Sequence, residues 1–204
     1  MKIFCIGLNY AKHVKEMKWA ERAPEPVVFM KPDTALIKDN QPFYYPDFSK
    51  EVHHEVELVL KISKSGKNIQ PKFAHKYYEE IGIGIDFTAR DLQAKLKEKG
   101  LPWEKSKGFD GAAPLGKFVN KSQFKDLKNI NFHLLINDKM VQVGNTQDLL
   151  TPFDELIADI SKYFTLKTGD LIYTGTPEGV GPVKVGDKLQ AFIENEKMLE
   201  FDVK

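Results

Sequence analysis

Cysteine is almost absent from this chain of 204 residues. The single thiol, Cys5, cannot close an intramolecular disulfide, and it leaves no zinc-ribbon or CxxC redox motif. A reducing compartment is the expectation. Net charge is nearly absent too. The 30 basic and 29 acidic residues leave +1, which is too little for a general nucleic-acid binder. No apolar run approaches the roughly 20 residues of a membrane span, and Met1 runs into Lys2-Ile3-Phe4-Cys5-Ile6-Gly7 with no secretory leader. The expectation is a cytoplasmic protein without nucleic-acid or membrane partners. Arginine is scarce, with only Arg22 and Arg90 beside 28 lysines. A guanidinium that persists in such a chain is expected where its planar fork is needed. Repeats, linkers and low-complexity tracts are missing, so residues 1–204 read as one domain.

Hydrophobic residues make up 42% of the chain, enough to bury a core without staples. Helical turns are predicted over Tyr10–Met17, and a short apolar run lies at Val27–Met30. A long strand is predicted over Glu51–Ile62, a proline-started helix over Pro71–Glu80 and a buried strand over Ile81–Phe87. Thr88 and Asp91 have capping-box spacing for a helix ending near Gly100. Asn137-Asp138 reads as a hairpin turn, Phe153–Phe164 as an amphipathic helix, and three strands follow. Strand and helix do not alternate strictly, which disfavours a doubly wound sheet. The expected class is a β-rich α+β domain.

The segment His53-His54-Glu55-Val56-Glu57-Leu58 carries the first chemical signal. Strand residues two apart share a face, so Glu55 and Glu57 project together. Carboxylates that close repel unless a cation lies between them. An acidic pair on a strand is also a common solvated face, and alone it is weak. The strand Ile81–Asp86 adds Gly82, Gly84 and Asp86 on one face, so that either a bulky group covers the glycines or a ligand approaches the backbone. Glu55, Glu57 and Asp86 together would make an oxygen site suited to Mg²⁺ or Ca²⁺. Arg90 and Gln93 lie on a shared helix face. Arg90 is placed either to pair with Asp86 or Asp91 or to grip a substrate carboxylate through two hydrogen bonds.

These segments, in this order, resemble the fumarylacetoacetate hydrolase family, especially its short acylpyruvase-like members. The resemblance runs through Gly7-Leu8-Asn9-Tyr10-Ala11-Lys12-His13-Val14-Lys15-Glu16-Met17, Phe29-Met30-Lys31-Pro32 and the acidic strand. It continues through Asp86–Gln93, Lys99–Trp103 and Lys107–Asp110, and closes on Gly169–Pro182 with its Thr174-Gly175-Thr176-Pro177 turn. It implies a roll of mixed β-sheets, usually dimeric, with Mg²⁺ or Mn²⁺ on Glu55, Glu57 and Asp86. It implies an active-site lysine at Lys107, a substrate-carboxylate contact at Thr176, and pocket walls at Arg90 and Gln93. It further implies a lid over residues 9–20 whose catalytic pair is His13 and Glu16. Two positions depart from the family pattern. Leu8 stands where arginine is common, with an expected effect on lid anchoring or substrate preference. Gly108 stands where serine or threonine is common, with a more flexible loop expected.

The implied substrates are 2-oxo acids with a second carbonyl or carboxyl group, which chelate a cation through carboxylate and 2-oxo oxygen. Cleaving the neighbouring carbon–carbon bond leaves a pyruvate enolate, whose charge a fixed cation stabilises. An imidazole exchanges protons near neutral pH, so His13, oriented by Glu16, suits water activation. The leading expectation is therefore Mg²⁺-dependent hydrolysis of acylpyruvates. Oxaloacetate decarboxylation or tautomerisation, and isomerisation of ring-cleavage products, pass through the same enolate. His54 is expected to support Glu55 from behind. The glycine-rich Thr174–Pro182 stretch lacks P-loop spacing and is not a nucleotide site.

Overall fold

The computed structural model describes residues 1–17 and 25–204. The last part of the expected lid, 18–20, and Arg22 lie outside the described residues. In chain order the elements begin with β1 (Ile3–Gly7), α1 (Ala11–Glu16), β2 (Val27–Lys31), β3 (Leu36–Ile37), β4 (Val52–His54) and β5 (Val56–Ile62). Next come α2 (Pro71–Ala74), β6 (Tyr78–Ile85), β7 (Thr88–Ala89), α3 (Arg90–Glu98), α4 (Glu104–Lys107) and β8 (Ala113–Asn120). The chain closes through β9 (Asn131–Ile136), β10 (Lys139–Asn145), α5 (Phe153–Tyr163), β11 (Leu171–Tyr173), β12 (Gly181–Pro182), β13 (Lys188–Ile193) and β14 (Glu196–Asp202).

A seven-stranded sheet runs β2-β1-β11-β5-β6-β8-β3, a four-stranded sheet runs β10-β9-β13-β14, and a three-stranded sheet runs β12-β4-β7. The large sheet is mixed: β1 pairs in parallel with β11 and β3 with β8, and the other pairings are antiparallel. The β-rich α+β class is thus the observed one, with few and short helices. Alternation is weak in β5 because both of its faces are covered. Val56, Leu58, Leu60 and Ile62 are buried, and so are Glu57 and Val59 between them.

Several local expectations are corrected. The predicted strand over Glu51–Ile62 breaks at Glu55, so β4 joins the small sheet and β5 the large one. The helix expected over Pro71–Glu80 is one turn long, because Tyr78 onward pairs with β5 and β8. Burial in a sheet outweighs the local helix signal there. Thr88 caps nothing. It sits in β7 against His53, while Ala89 precedes the helix and Asp91 accepts from Ser49 Oγ, Lys50 N–H and Leu92 N–H. The hairpin at Asn137-Asp138 forms as expected, with φ of 51° and 62° at its two turn residues. The bare face of β6 is covered by bulk. A Cβ at Gly84 would come 2.5 Å from the Tyr173 ring, and one at Gly82 2.9 Å from Phe118. Among the described residues, no helix is long and apolar enough to cross a membrane.

Candidate active site

The carboxylates gather where β5 begins and where β6 and β11 end. Glu55 sits in the break before β5, Glu57 inside it, and Asp86 just past β6. The Asp86 N–H donates to Glu55 O at 2.8 Å, which locks the two strand ends together. One oxygen from each of Glu55, Glu57 and Asp86 lies within 4.8 Å of the others, and all three residues are buried.

Three cations surround this cluster, one from each of three short elements. Lys107, at the end of α4, places Nζ 2.8 Å from both Glu55 Oε2 and Asp86 Oδ2. Arg90, at the start of α3, sends NH2 to Glu55 Oε1 at 2.6 Å and NH1 to Gln93 Oε1 at 2.7 Å. The guanidinium therefore pairs with Glu55, not with Asp86 or Asp91, and its Nε–H is buried without a partner. Gln93 is left with its amide NH₂ to offer. The third cation was not singled out from the sequence. Lys31, at the end of β2, is only 2% exposed, and its Nζ reaches Asp86 Oδ1 at 2.7 Å. It also donates to the carbonyls of Phe87, Lys107 and Ala112. One signal was available: a lysine following the apolar run Val27–Met30 in a short strand cannot lie in solvent if that strand is covered.

The electrostatics divide the cluster. Burial pushes the Glu55 carboxyl up, but Lys107 and Arg90 outweigh it and hold the group well below the usual range. Burial likewise pulls the Lys107 ammonium down, and Asp86 and Glu55 more than restore it, so it stays charged. Glu57 is the exception. Burial and then the neighbouring charges of Asp86 and Glu55 push its carboxyl far up. It accepts from Gly175 N–H at 2.7 Å, and no cationic side chain pairs with it among the described residues. This donor set fits a hard divalent cation: three oxygen ligands, buried, one of them lacking a counter-charge. Monodentate carboxylates would leave coordination positions for substrate.

His13 and Glu16, the pair expected on the lid, both lie on α1. His13 Nδ1 lies 3.0 Å from Glu16 Oε2, and the ring is 5% exposed. Glu16 Oε1 also accepts from Gly179 N–H at 3.0 Å, so the lid helix rests on the loop after Thr176. Below it, Asn9 ties β1 to the same loop by donating to Thr174 O at 2.8 Å. Gly175 is obligatory there, since φ is +102° and a Cβ would meet the Asn9 side chain at 2.6 Å. His13, Glu55, Arg90, Gln93, Lys107, Leu8 and Phe29 line one small cleft of about 30 Å³. A much larger hollow of about 570 Å³ lies against α5 and contains none of these groups.

Thr176 is buried, and its Oγ1 accepts from Gln142 Nε2 at 2.9 Å. Gln142 was not foreseen. It comes from β10 in the other sheet, at a bulge, and no short motif announces it. His54 points to this amide rather than to Glu55, with Nδ1 2.8 Å from Gln142 Oε1, which corrects the expected support role. Gly108 closes α4 through its N–H to Glu104 O at 2.6 Å, in a space where a Cβ would lie 3.2 Å from Pro32.

The model of the fumarylacetoacetate (FAA) hydrolase C-terminal family matches residues 2–204. The chain belongs to the fumarylacetoacetate hydrolase family. Among curated members, oxaloacetate tautomerase YcgM of Escherichia coli (strain K12) is 42% identical over 198 residues, covering 97% of this chain and 90% of that one. The mitochondrial oxaloacetate tautomerase FAHD1 of Homo sapiens is 38% identical over 201 residues, covering 98% and 90%. Among solved structures, fumarylpyruvate hydrolase from Pseudomonas aeruginosa, in complex with Mn²⁺ and pyruvate, superposes with a TM-score of 0.93 at 34% identity. That match covers 100% of this chain and 89% of that one. Family members thus include tautomerases and hydrolases.

Proposed function

We propose that this chain is a divalent-metal-dependent enzyme of small dianionic 2-oxo acids, with keto–enol tautomerisation of oxaloacetate as its main reaction. The charge count of the site carries this reading. With Glu57 ionised on a bound metal, three buried carboxylates are matched by three buried or half-buried cations, Lys31, Arg90 and Lys107. A divalent ion held by Glu55, Glu57 and Asp86 raises the site to two positive charges. Oxaloacetate carries two carboxylates and restores balance, whereas a simple acylpyruvate carries one. The relatives named as oxaloacetate tautomerases point the same way.

Bound there, the ion, with Mg²⁺ as the first candidate and Mn²⁺ or Ca²⁺ as alternatives, would polarise the 2-oxo oxygen and stabilise negative charge on it. The chain supplies the remaining steps. Thr176 and the free NH₂ of Gln93 hold a carboxylate, and Arg90 fixes Glu55 in place. Lys107, kept charged between two carboxylates, adds a fixed positive charge. His13 carries the proton. Its Nδ1 is engaged by Glu16, so Nε2 takes the proton from the carbon beside the 2-oxo group and delivers it to the 2-oxo oxygen to give the enol, with the two transfers reversed for ketonisation. Glu16 stabilises the imidazolium between the two transfers.

Acylpyruvate hydrolysis is the second reading, and the His13–Glu16 pair favours it because the same base can activate water. Proton NMR with Mg²⁺ separates the two. Exchange of the C3 protons of oxaloacetate, faster with enzyme and abolished by chelator, is the expected result. Acetate plus pyruvate from acetylpyruvate, without faster exchange in oxaloacetate, replaces tautomerisation with hydrolysis.

A further inference from the structure

We propose that Gln142 is a positioning residue that fixes the Thr176 hydroxyl as a hydrogen-bond donor to the substrate carboxylate. The argument rests on the reading of Thr176 given above and adds the group that sets its polarity. The Gln142 side chain is 1% exposed, and its amide makes four hydrogen bonds. Oε1 accepts from Val56 N–H at 3.0 Å and from His54 Nδ1 at 2.8 Å. Nε2 donates to Pro177 O at 3.0 Å and to Thr176 Oγ1 at 2.9 Å.

Amide oxygen and nitrogen are commonly interchangeable in a structure, but here two backbone groups decide. Val56 N–H can only donate, so the oxygen must face it. Pro177 C=O can only accept, so the nitrogen must face that. His54 is thereby the Nδ1–H form towards Gln142. The Nε2–H of Gln142 must then donate to Thr176, which cannot spend its own proton on the amide. No acceptor for that proton is found among the described residues. The hydroxyl is 3% exposed at the residue level and stands next to Gly175, whose N–H holds Glu57. A buried hydroxyl with its acceptor side filled and its proton unspent is a site for an anion. Gln142 also bonds the backbone between Glu55 and Glu57, so one side chain spans the acidic strand and the carboxylate turn.

The test is a double-mutant cycle read by calorimetric titration of oxalate into the Mn²⁺-loaded protein. Thr176→Val, which removes the hydroxyl at constant shape, is expected to weaken oxalate about tenfold or more. Gln142→Glu, ionised or protonated, puts a single oxygen where the NH₂ stood, which cannot donate to both Pro177 O and Thr176 Oγ1, so the hydroxyl is no longer held as a donor to the substrate. It is expected to cost a similar factor alone and less than about twofold in the Thr176→Val background. Gln142→Met removes the donor without adding charge, and the same non-additivity is expected. It also removes the acceptor for Val56 N–H, so Mn²⁺ affinity without oxalate is measured alongside, and only a loss of oxalate affinity beyond any loss of Mn²⁺ affinity counts toward the positioning role. If Thr176→Val binds oxalate normally, the carboxylate reading of Thr176 fails. If Thr176→Val weakens binding and both Gln142 variants cost as much with the hydroxyl as without it, the positioning role alone is overturned. Should Gln142→Glu fail to fold, the Gln142→Met arm decides by itself.

Discussion

Glu55 of the carboxylate cluster and His13 of the His13–Glu16 pair line one cleft, yet the two groups are held by different means. Glu55, Glu57 and Asp86 are carried by the ends of sheet strands, each at most 5% exposed, and each bonded to backbone or to a buried cation. His13 and Glu16 sit on a helix of six residues, too short to be stable alone. That helix is moored by an exposed ion pair, Lys12 to Glu178 at 3.2 Å, and by Glu16 on Gly179 N–H. In the proposed reaction the sheet-borne half binds the metal and the helix-borne half exchanges protons.

The largest expected effect breaks the sheet-borne half from below. Lys31→Met takes one of the two buried cations from Asp86, leaving Lys107, and strips the donor from three carbonyls. Loss of one partner of a buried pair costs about 3–5 kcal/mol. Denaturant unfolding reads this, and saturating Mn²⁺ should return part of the loss by supplying charge to the same carboxylates. An unchanged midpoint would show that Lys31 is not structural.

His13→Ala should break the other half and nothing else. Turnover is expected to fall about 10²–10⁴-fold, while Mn²⁺ and oxalate affinities stay as they were. Undiminished turnover would remove His13 from the chemistry. Glu16→Gln sharpens the contrast. It keeps an acceptor for Gly179 N–H but removes the charge behind the imidazolium, so turnover should fall about tenfold with lid closure intact. A loss as large as that of His13→Ala would mean that the mooring, rather than the charge, is what Glu16 supplies.

The two halves also differed in how legible they were. The acidic triad was legible from the Glu55–Glu57 spacing and from Asp86 closing an apolar run, although Glu55 falls in a strand break and Asp86 past the end of β6. The hairpin at Asn137-Asp138 was equally local. Lys31 was hard to single out among 28 lysines, because the apolar run before it marks it as a buried counter-ion only once β2 is known to be covered. Gln142 escaped for a different reason. Its partners His54, Val56, Thr176 and Pro177 lie far away in sequence and meet it only when two sheets pack. The false capping box at Thr88 shows the converse error. A short-range pattern was present, but strand pairing with β4 took the residue first. The lid pair came from family resemblance, since His-x-x-Glu alone is no more than a surface turn.

The smallest expected effect lies between the halves, at the start of α3, which carries Arg90 and Gln93. Asp91 is slightly buried, which raises its carboxyl. Hydrogen bonds from Ser49, Lys50 and Leu92 outweigh that and set it below its ordinary value. A folded-state value below the unfolded one means that the unfolded chain binds more protons in that window, so stability rises with pH there. The contribution is present above the usual aspartate range and is lost as pH falls through the depressed value. Because the group is largely exposed, screening keeps it small, about 0.5 kcal/mol for Asp91→Asn at neutral pH. Unfolding of both proteins from pH 7 down to pH 2 should show the gap closing. A constant gap would place the stabilisation in the hydrogen-bond geometry, which asparagine partly keeps, rather than in the charge. Oxalate affinity in the same variant should not move, because Asp91 anchors the outer face of the helix to Ser49 while Arg90 and Gln93 bond to each other.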